Sequence, residues 1–324
     1  MLPSAAMPAI DRVLFFGTPD FAVPTLAALV AAGRRPLRVV TQPSRPVGRG
    51  RGLQDPPVAR WAREHGLEVV QPERVRHPEF LEQVAALAPD VAIVVAFGQI
   101  FPKALLELPR HGCINLHASL LPRWRGAAPI QASIAAGEPR TGVTTMLMEE
   151  GLDTGPILLQ EETEIGPDET AGELFPRLAE LGGRLVVRTL GELERGGVVP
   201  RPQGDEGVTY APRLTRDSGK VDWRWTARGI ADRLRAYTPW PGLTAELRGE
   251  PVKLVRARDL QTVDVPEGVG GEGTFLGLRD GALAVVCGGG TVLGIQELQR
   301  PGRKPLRAAD FANGERLRAG EVFS

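Results

Sequence analysis

The sequence predicts an α/β fold in which a parallel sheet, covered by helices on both faces, is followed by a small antiparallel β barrel. Two observations lead to this prediction. Over the first 200 residues, continuous apolar runs alternate with segments of helical spacing, whereas beyond about residue 220 the apolar runs are short and separated by turns. The length of 324 residues also favours two domains, because single cores seldom grow beyond about 250 to 300 residues.

The first domain begins with a strand, RVLFFG, which ends in glycine and leads into the helical pattern of PDFAVPTLAALVAAG. The alternation continues through the strands LRVVTQP, LEVVQP, DVAIVVAF and CINLHAS and the helices PVARWAREHG, PEFLEQVAALAP and PIQASIAAG. Two further strands, TGVTTMLM and PILLQEETEI, enclose the loop EEGLDTG. A long helical stretch, TAGELFPRLAELGGRLVVRTLGELERGG, follows and is expected to contain a glycine interruption.

A segment rich in Pro, Gly and charge, from about residue 197 to 220, has no sustained periodicity and predicts a linker. We therefore expect a first domain at 1–200, a linker at 201–220 and a second domain at 221–324. The second domain contains one helix, TARGIADRLRAY, and several short strands from LTAELRG to TVLGIQELQ. Short strands separated by turns predict the antiparallel barrel.

Composition excludes several classes of protein. With 42% apolar and 24% charged residues and a formal charge of zero, the chain is an ordinary globular protein, and a nucleic-acid partner would need a local basic patch. The longest apolar run near a strand, Val91 to Phe97, is far shorter than the roughly 20 residues of a membrane-spanning helix. No secretory signal is recognisable, and Met7 is an alternative start. Two separated cysteines favour a cytoplasmic protein without a disulfide framework.

Polar side chains gather where the strand CINLHAS ends. Asn115 and His117 are two residues apart and therefore share one face of the strand, at the carboxyl end where parallel sheets bind ligands. Asp153 lies between Gly151 and Gly155, a setting that lets backbone approach a ligand closely. A carboxylate beside a histidine is a general acid–base arrangement, and an Asn amide can donate to an oxyanion.

These three groups suit direct transfer of an acyl unit between two nitrogens. No nucleophile is predicted, because Cys113 is expected to point away from this face and Ser119 lacks a base. The alternative is that His117 is a hydrogen-bonded structural residue, which is the commoner role of a single histidine at a strand end. The other three histidines lack the spacing of metal ligands, so no metal site is predicted.

The glycine-rich stretch RPVGRGRG places Arg45, Arg49 and Arg51 on one loop. This is either a solvated surface loop or a mobile arm whose guanidinium groups bind nucleic-acid phosphates and base edges. The earlier glycine in FFGTPDF is single, so it does not match the dinucleotide fingerprint and nicotinamide chemistry is not predicted.

The combination of INLHASLLPRWRGAAPI with GLDTG resembles the folate-dependent formyltransferases. The resemblance runs from FFGTPDFAVPTL through TQPSRPVGRG to VTYAPRL and YTPWPG, which is nearly the whole chain. It implies a Rossmann-like catalytic domain and a C-terminal OB-like, tRNA-binding barrel. It also implies 10-formyltetrahydrofolate as the formyl donor, the α-amine of methionyl initiator tRNA as the acceptor in translation initiation, and no metal.

The matching positions imply roles for individual residues. Asn115, His117 and Asp153 are expected to be catalytic, and Arg45 to contact tRNA. The expected tetrahydrofolate-binding residues are Ser119, Leu120, Leu121 and Pro122. We also expect a monomer with no membrane association. The alternatives are a 10-formyltetrahydrofolate hydrolase, a sugar-nucleotide formyltransferase, or a tRNA-binding module with an inactive site.

Overall fold

The computed structural model describes residues 9–47, 52–261, 263, 265, 268 and 270–324. Its internal contacts divide the chain into two units. The first comprises the described residues up to Pro129, Arg140–Glu164 and Phe175–Tyr210, and the second comprises Ile130–Pro139, Ile165–Leu174 and the described residues from Ala211 onwards. The domain boundaries expected from the sequence, at residues 200 and 220, remain predictions.

Among the described residues up to 211, every strand and helix expected from the sequence forms, and four short strands and one short helix are present in addition. The strands are β1 (Val13–Gly17), β2 (Arg38–Val40), β3 (Arg45–Val47), β4 (Gly52–Gln54), β5 (Val69–Val70), β6 (Val91–Val95), β7 (Cys113–His117), β8 (Arg125–Gly126), β9 (Arg140–Leu147), β10 (Ile157–Glu164) and β11 (Tyr210–Ala211). The helices are α1 (Val23–Ala31), α2 (Pro57–Glu64), α3 (Pro78–Ala86), α4 (Lys103–Leu106), α5 (Pro129–Ala135) and α6 (Ala171–Glu194).

Among the described residues, seven strands form the main sheet, in the order β10-β9-β7-β6-β1-β2-β5. The five strands from β7 to β5 are parallel, and every residue of β1 and β6 is buried, as the uninterrupted apolar runs predict. The parallel sheet is thus confirmed, and it is mixed at one edge, where β9 pairs antiparallel with both β7 and β10. The short α5 is followed closely by β9, so the chain turns at the carboxyl end of β7 and runs back beside it.

The helix α6 is continuous over 24 residues, so the glycine interruption expected from the sequence is wrong. Gly182 and Gly183 lie within the helix, at positions where other parts of the chain pass close to its backbone. A Cβ atom on Gly182 would lie 2.5 Å from the Leu116 side chain, and one on Gly183 would lie 2.9 Å from the Pro24 carbonyl oxygen. Close packing therefore explains these glycines better than a chain break.

From Ala211 onwards, the described residues of the second unit form an antiparallel sheet and two α-helices. These elements are α7 (Ala227–Ala236), β12 (Leu243–Leu247), β13 (Glu250–Asp259), β14 (Phe275–Arg279), β15 (Ala282–Cys287), β16 (Thr291–Gln299), β17 (Leu306–Arg307) and α8 (Ala308–Glu315). The strand order is β12-β13-β16-β15-β14, with β17 beside β16. The hydroxyl of Thr226 caps α7 by accepting a hydrogen bond from the Gly229 amide.

The C-terminal residues join the two edges of this sheet. Glu246 of β12 and Ser324 exchange backbone hydrogen bonds of 2.7 and 2.9 Å, and the Phe275 amide at the other edge donates to the Glu321 carbonyl at 2.8 Å. The sheet is thereby closed around a core that includes Phe311 and Phe323, which agrees with the predicted antiparallel barrel. Within the described ranges, no helix combines the length and the apolar character needed to span a membrane.

Candidate active site

The predicted polar edge forms at the carboxyl end of β7. This strand lies between β6 and β9, so that Asn115 is opposite Val94 on one side and Met146 on the other, and His117 is opposite Thr144. Asn115 is half-buried and His117 is buried, with 6% of its side chain exposed. Because they are two residues apart on a regular strand, both side chains leave β7 on the same face.

The structure brings His117 and Asp153 together. His117 Nδ1 lies 3.7 Å from Asp153 Oδ2, which is within the range of an ion pair but longer than a hydrogen bond. His117 Nε2 lies 2.9 Å from the carbonyl oxygen of Trp124. A carbonyl oxygen can only accept, so Nε2 carries a proton in this contact and Nδ1 is the nitrogen available to exchange one.

Asp153 has an unusual backbone conformation. Its φ angle is +52°, in the left-handed region that aspartate enters more readily than most residues. The carboxylate oxygen Oδ2 also accepts a hydrogen bond of 2.8 Å from the Gly126 amide. The same oxygen is therefore held by β8 on one side and faces the imidazole on the other.

Gly155, in the same loop, permits a close approach of backbone. The sequence suggested that glycines here make room for a ligand. At Gly155 the neighbour is instead the carbonyl oxygen of Leu147, and a Cβ atom added at this position would clash with that oxygen. The Leu147 amide also donates to the Pro156 carbonyl at 2.9 Å, so this glycine allows the Asp153 loop to pack on β9.

The expectation that Cys113 points away from the face that carries Asn115 and His117 is wrong. Cys113 lies two and four residues before them on β7 and so shares their face. Its thiol is nevertheless in the apolar core beside the carbonyls of Leu105 and Leu106, and burial raises its pKa to about 12. Cys113 is therefore a neutral core thiol, and the conclusion that it is not a nucleophile does not depend on its orientation.

The polar groups of the segment 119–122 are hydrogen-bonded within the protein. Ser119 is fully buried, and its hydroxyl donates to the Arg123 carbonyl at 2.6 Å. The Thr144 hydroxyl donates to the Ser119 carbonyl, and the Gln160 amide donates to the Leu121 carbonyl at 2.9 Å. Leu121 packs in a small apolar cluster with Met146 and Ile157, while Leu120 and Pro122 are half-buried. The folate-binding role of these residues remains a prediction.

Arg45 lies on a hairpin in which β3 and β4 pair antiparallel, with Arg45 opposite Gln54. Both residues are exposed, and the apolar side chain of Leu53 is 75% exposed. At the base of the hairpin, Asp55 accepts a hydrogen bond from Ser44 and forms an ion pair with Arg63. Arg45 is thus on a short strand where a loop was expected, whereas Arg49 and Arg51 lie outside the described residues.

Residues 201–209, which the sequence assigns to a linker, also contribute to this site, and no motif predicts that contribution. Arg201 and Ile157 exchange two backbone hydrogen bonds of 2.8 Å. The Thr209 hydroxyl accepts from the Trp124 amide at 2.8 Å, and the Gln203 side chain contacts both Arg125 and the Asp153 loop. No sequence signal marks these residues, because isolated contacts from an extended segment produce no periodic pattern.

Among the residues that the structure describes, no three His, Cys, Asp or Glu side chains are grouped as metal ligands. The arrangement at β7 instead offers an amide donor, an imidazole and a carboxylate on neighbouring segments. These groups can stabilise an oxyanion and move a proton without a metal.

Comparison with known proteins agrees with the geometry. The family model described as formyl transferase matches residues 11–190, and that of the formyl transferase C-terminal domain matches residues 213–316. The chain is similar to the methionyl-tRNA formyltransferase of Trichlorobacter lovleyi, with 47% identity over 96% of each chain. It is also similar to that of Halorhodospira halophila, with 50% identity over 96% of this chain and 98% of the relative.

A solved structure shows the same fold at low sequence identity. The N-formyltransferase from Helicobacter canadensis, in complex with folinic acid and dTDP-3-aminofucose, superposes with a TM-score of 0.64. The alignment has 17% identity and covers 88% of this chain and 98% of the other. At this identity the similarity concerns the fold and not the substrate.

Proposed function

The chain belongs to the methionyl-tRNA formyltransferase family, and from that premise we propose that it transfers a formyl group from 10-formyltetrahydrofolate to the α-amine of methionyl initiator tRNA. The observation that carries the proposal is the approach of His117 Nδ1 to Asp153 Oδ2, 3.7 Å apart, beside Asn115 at the carboxyl end of β7. In sheets of this kind that edge is where ligands bind.

The reaction needs little activation of its nucleophile. A free α-amine has a pKa near 8, so a useful fraction is unprotonated at neutral pH. When the amine attacks the formyl carbon, negative charge develops on the formyl oxygen. The Asn115 amide is the donor for that oxygen, because it is half-buried and leaves β7 on the same face as His117.

His117 moves the proton in this mechanism. Its Nε2–H is engaged with the Trp124 carbonyl, so Nδ1 accepts the proton lost by the attacking amine and delivers it to the departing folate nitrogen. The Asp153 carboxylate stabilises the charged imidazole that forms between these two events. Asp153 can do so without moving, because the Gly126 amide already holds its Oδ2.

The segment 119–122 supports a folate site through shape. The Ser119 hydroxyl and carbonyl and the Leu121 carbonyl are already hydrogen-bonded within the protein. We therefore assign to this segment an apolar contribution from Leu120 and Pro122, which are half-buried, and no polar contact from the Ser119 side chain.

For the acceptor, we propose that Arg45 on its exposed hairpin contacts tRNA phosphates and that the barrel at 221–324 adds further contacts. We propose a catalytic domain at 1–200, a linker at 201–220 whose residues 201–209 pack against that domain, and a monomeric protein that acts in the cytoplasm. The two free, buried cysteines support a reducing compartment. Light scattering of the purified protein tests the monomer directly.

A formylation assay tests the function. The purified protein should use 10-formyltetrahydrofolate to formylate methionyl initiator tRNA in preference to methionyl elongator tRNA. His117→Ala should lower the rate by at least a hundredfold, whereas the control His65→Ala should not, because His65 is exposed at the end of α2 and stacks on Trp61. Transfer to an amino sugar nucleotide, or formate release unaffected by tRNA, would refute the assignment.

A further inference from the structure

Gln203 connects Arg125 to the loop that carries Asp153. Its Oε1 accepts hydrogen bonds from Arg125 Nε at 3.1 Å and from Nη2 at 2.8 Å. Its Nε2 donates to the carbonyl oxygens of Asp153 at 2.9 Å and of Gly155 at 2.8 Å. Both ends of one amide are thus used, and each end holds a different segment of the chain.

The acceptor end of Gln203 supports β8. Arg125 is buried, with 8% of its surface exposed, and a buried guanidinium needs hydrogen-bond acceptors. The Arg125 backbone amide also donates to the Thr209 carbonyl at 2.9 Å. Residues on either side of Arg125 reach the candidate catalytic pair, since the Trp124 carbonyl accepts from His117 and the Gly126 amide donates to Asp153.

The donor end of Gln203 supports the Asp153 loop. Asp153 is held at φ +52°, a conformation less favourable than the ordinary helical or extended ones. A loop in such a conformation keeps it only when surrounding contacts fix its peptide groups. The two hydrogen bonds from Gln203 fix the carbonyls of Asp153 and Gly155, which lie directly at that turn.

We propose that Gln203 is a positioning residue for formyl transfer, which holds the Asp153 carboxylate at the distance and direction that His117 requires. The inference rests on the proposed roles of His117 and Asp153. Gln203 acts through Asp153 and is not itself a catalytic residue. A displacement of about 1 Å at a reacting group can cost a hundredfold in rate, so the loss of this support should lower turnover.

A purely structural role makes a different prediction. If Gln203 serves only to satisfy Arg125, then any acceptor in its place should suffice. Gln203→Glu distinguishes a role confined to Arg125 from a role in holding the Asp153 loop. Its carboxylate still accepts hydrogen bonds from Arg125 but cannot donate to the carbonyls of Asp153 and Gly155. Gln203→Met, which has a similar length, removes both functions.

The experiment measures kcat and both KM values for the full-length protein and these variants, with rates expressed per folded molecule from circular dichroism. Gln203→Glu should stay folded, with a smaller loss of melting temperature than Gln203→Met because Arg125 keeps its acceptor. It should lose at least tenfold in kcat and change each KM by less than about threefold. Hydrogen exchange of a peptide spanning 149–156 should become faster in both variants. The control is Gln83→Glu in the first unit, where Gln83 is exposed on α3 and outside the candidate site.

Wild-type kcat and unchanged exchange in Gln203→Glu would overturn the proposal, whatever the stability of Gln203→Met. A different result would refute the proposed function itself. In that case the wild-type protein would not transfer formyl groups, or His117→Ala would remain fully active. The exchange measurement needs no substrate, so it tests the hold of Gln203 on the loop in either case.

Discussion

The end of β7 and the β3–β4 hairpin are both polar regions that the sequence marks as functional, but the structure builds them in opposite ways. At β7, His117 is 6% exposed, and the Asp153 loop beside it is held by β8 and by residues 201–209. On the hairpin, Arg45 and Gln54 are exposed and Leu53 is 75% exposed.

The difference indicates how each region can work. Buried groups held by several hydrogen bonds are pre-organised, and a pre-organised arrangement stabilises a transition state without reorganisation during the reaction. An exposed arginine is adaptable and suits attraction of a large anionic partner. Substitutions at β7 should therefore change turnover, whereas substitutions on the hairpin should change the use of tRNA.

The largest effect is expected from Asp153→Asn. Asparagine can still accept from the Gly126 amide, but it lacks the charge that stabilises the protonated His117. We expect kcat to fall by about a hundredfold to ten-thousandfold with little change in melting temperature. Single-turnover kinetics with saturating substrates measure this. The control is Asp217→Asn, which changes an exposed residue that forms an ion pair with Lys220. Near-normal turnover of Asp153→Asn would contradict the catalytic role of Asp153 and with it the difference between the two regions.

A smaller effect, on binding, is expected from Arg45→Ala. The KM for tRNA should rise by about tenfold, and the slope of log(kcat/KM) against log salt should decrease in magnitude by about one, as for the loss of one phosphate contact. Slow release of formate without tRNA should not change. The control is Arg195→Ala. Arg195 follows the last residue of α6 and forms an ion pair with Glu192 of that helix. Equal losses in formate release and tRNA use would contradict a role confined to tRNA.

The smallest effect is expected at the ion pair of Arg34 and Glu194, which lies in the first unit and serves neither region. The hydrogen bond from Arg34 lowers the pKa of Glu194. The stabilisation of the folded protein by this ion pair is therefore fully present above the pKa of Glu194 in the unfolded chain, about 4.3. It is lost as the pH falls through the lower pKa that Glu194 has in the folded protein.

Glu194→Gln should accordingly be less stable than the wild type at pH 7, by about 1 kcal/mol because both side chains are partly exposed. The gap should narrow below about pH 4, where the unfolded carboxyl becomes protonated. Thermal unfolding from pH 3 to 7 measures this, with kcat at pH 7 as the second readout. A gap independent of pH, or a loss of turnover per folded molecule, would be inconsistent with a purely structural ion pair.

The sequence predicts the parts of this protein that depend on repetition. Apolar runs such as VLFFG and VAIVV predict the parallel strands, and the spacing of Asn115 and His117 predicts their common face. It does not predict contacts between distant single residues. Gln203 meets Arg125 across 78 positions and Asp153 across 50, and no pattern within the intervening chain encodes either contact. Gly182 of α6 shows the same limit, since its close neighbour Leu116 belongs to β7, 66 positions earlier in the chain.

The pairing of Ser324 with Glu246 and of Glu321 with Phe275 has a practical consequence for handling the protein. Removal of these last residues would expose the backbone donors and acceptors of two strands at once, and unpaired strand edges are templates for aggregation.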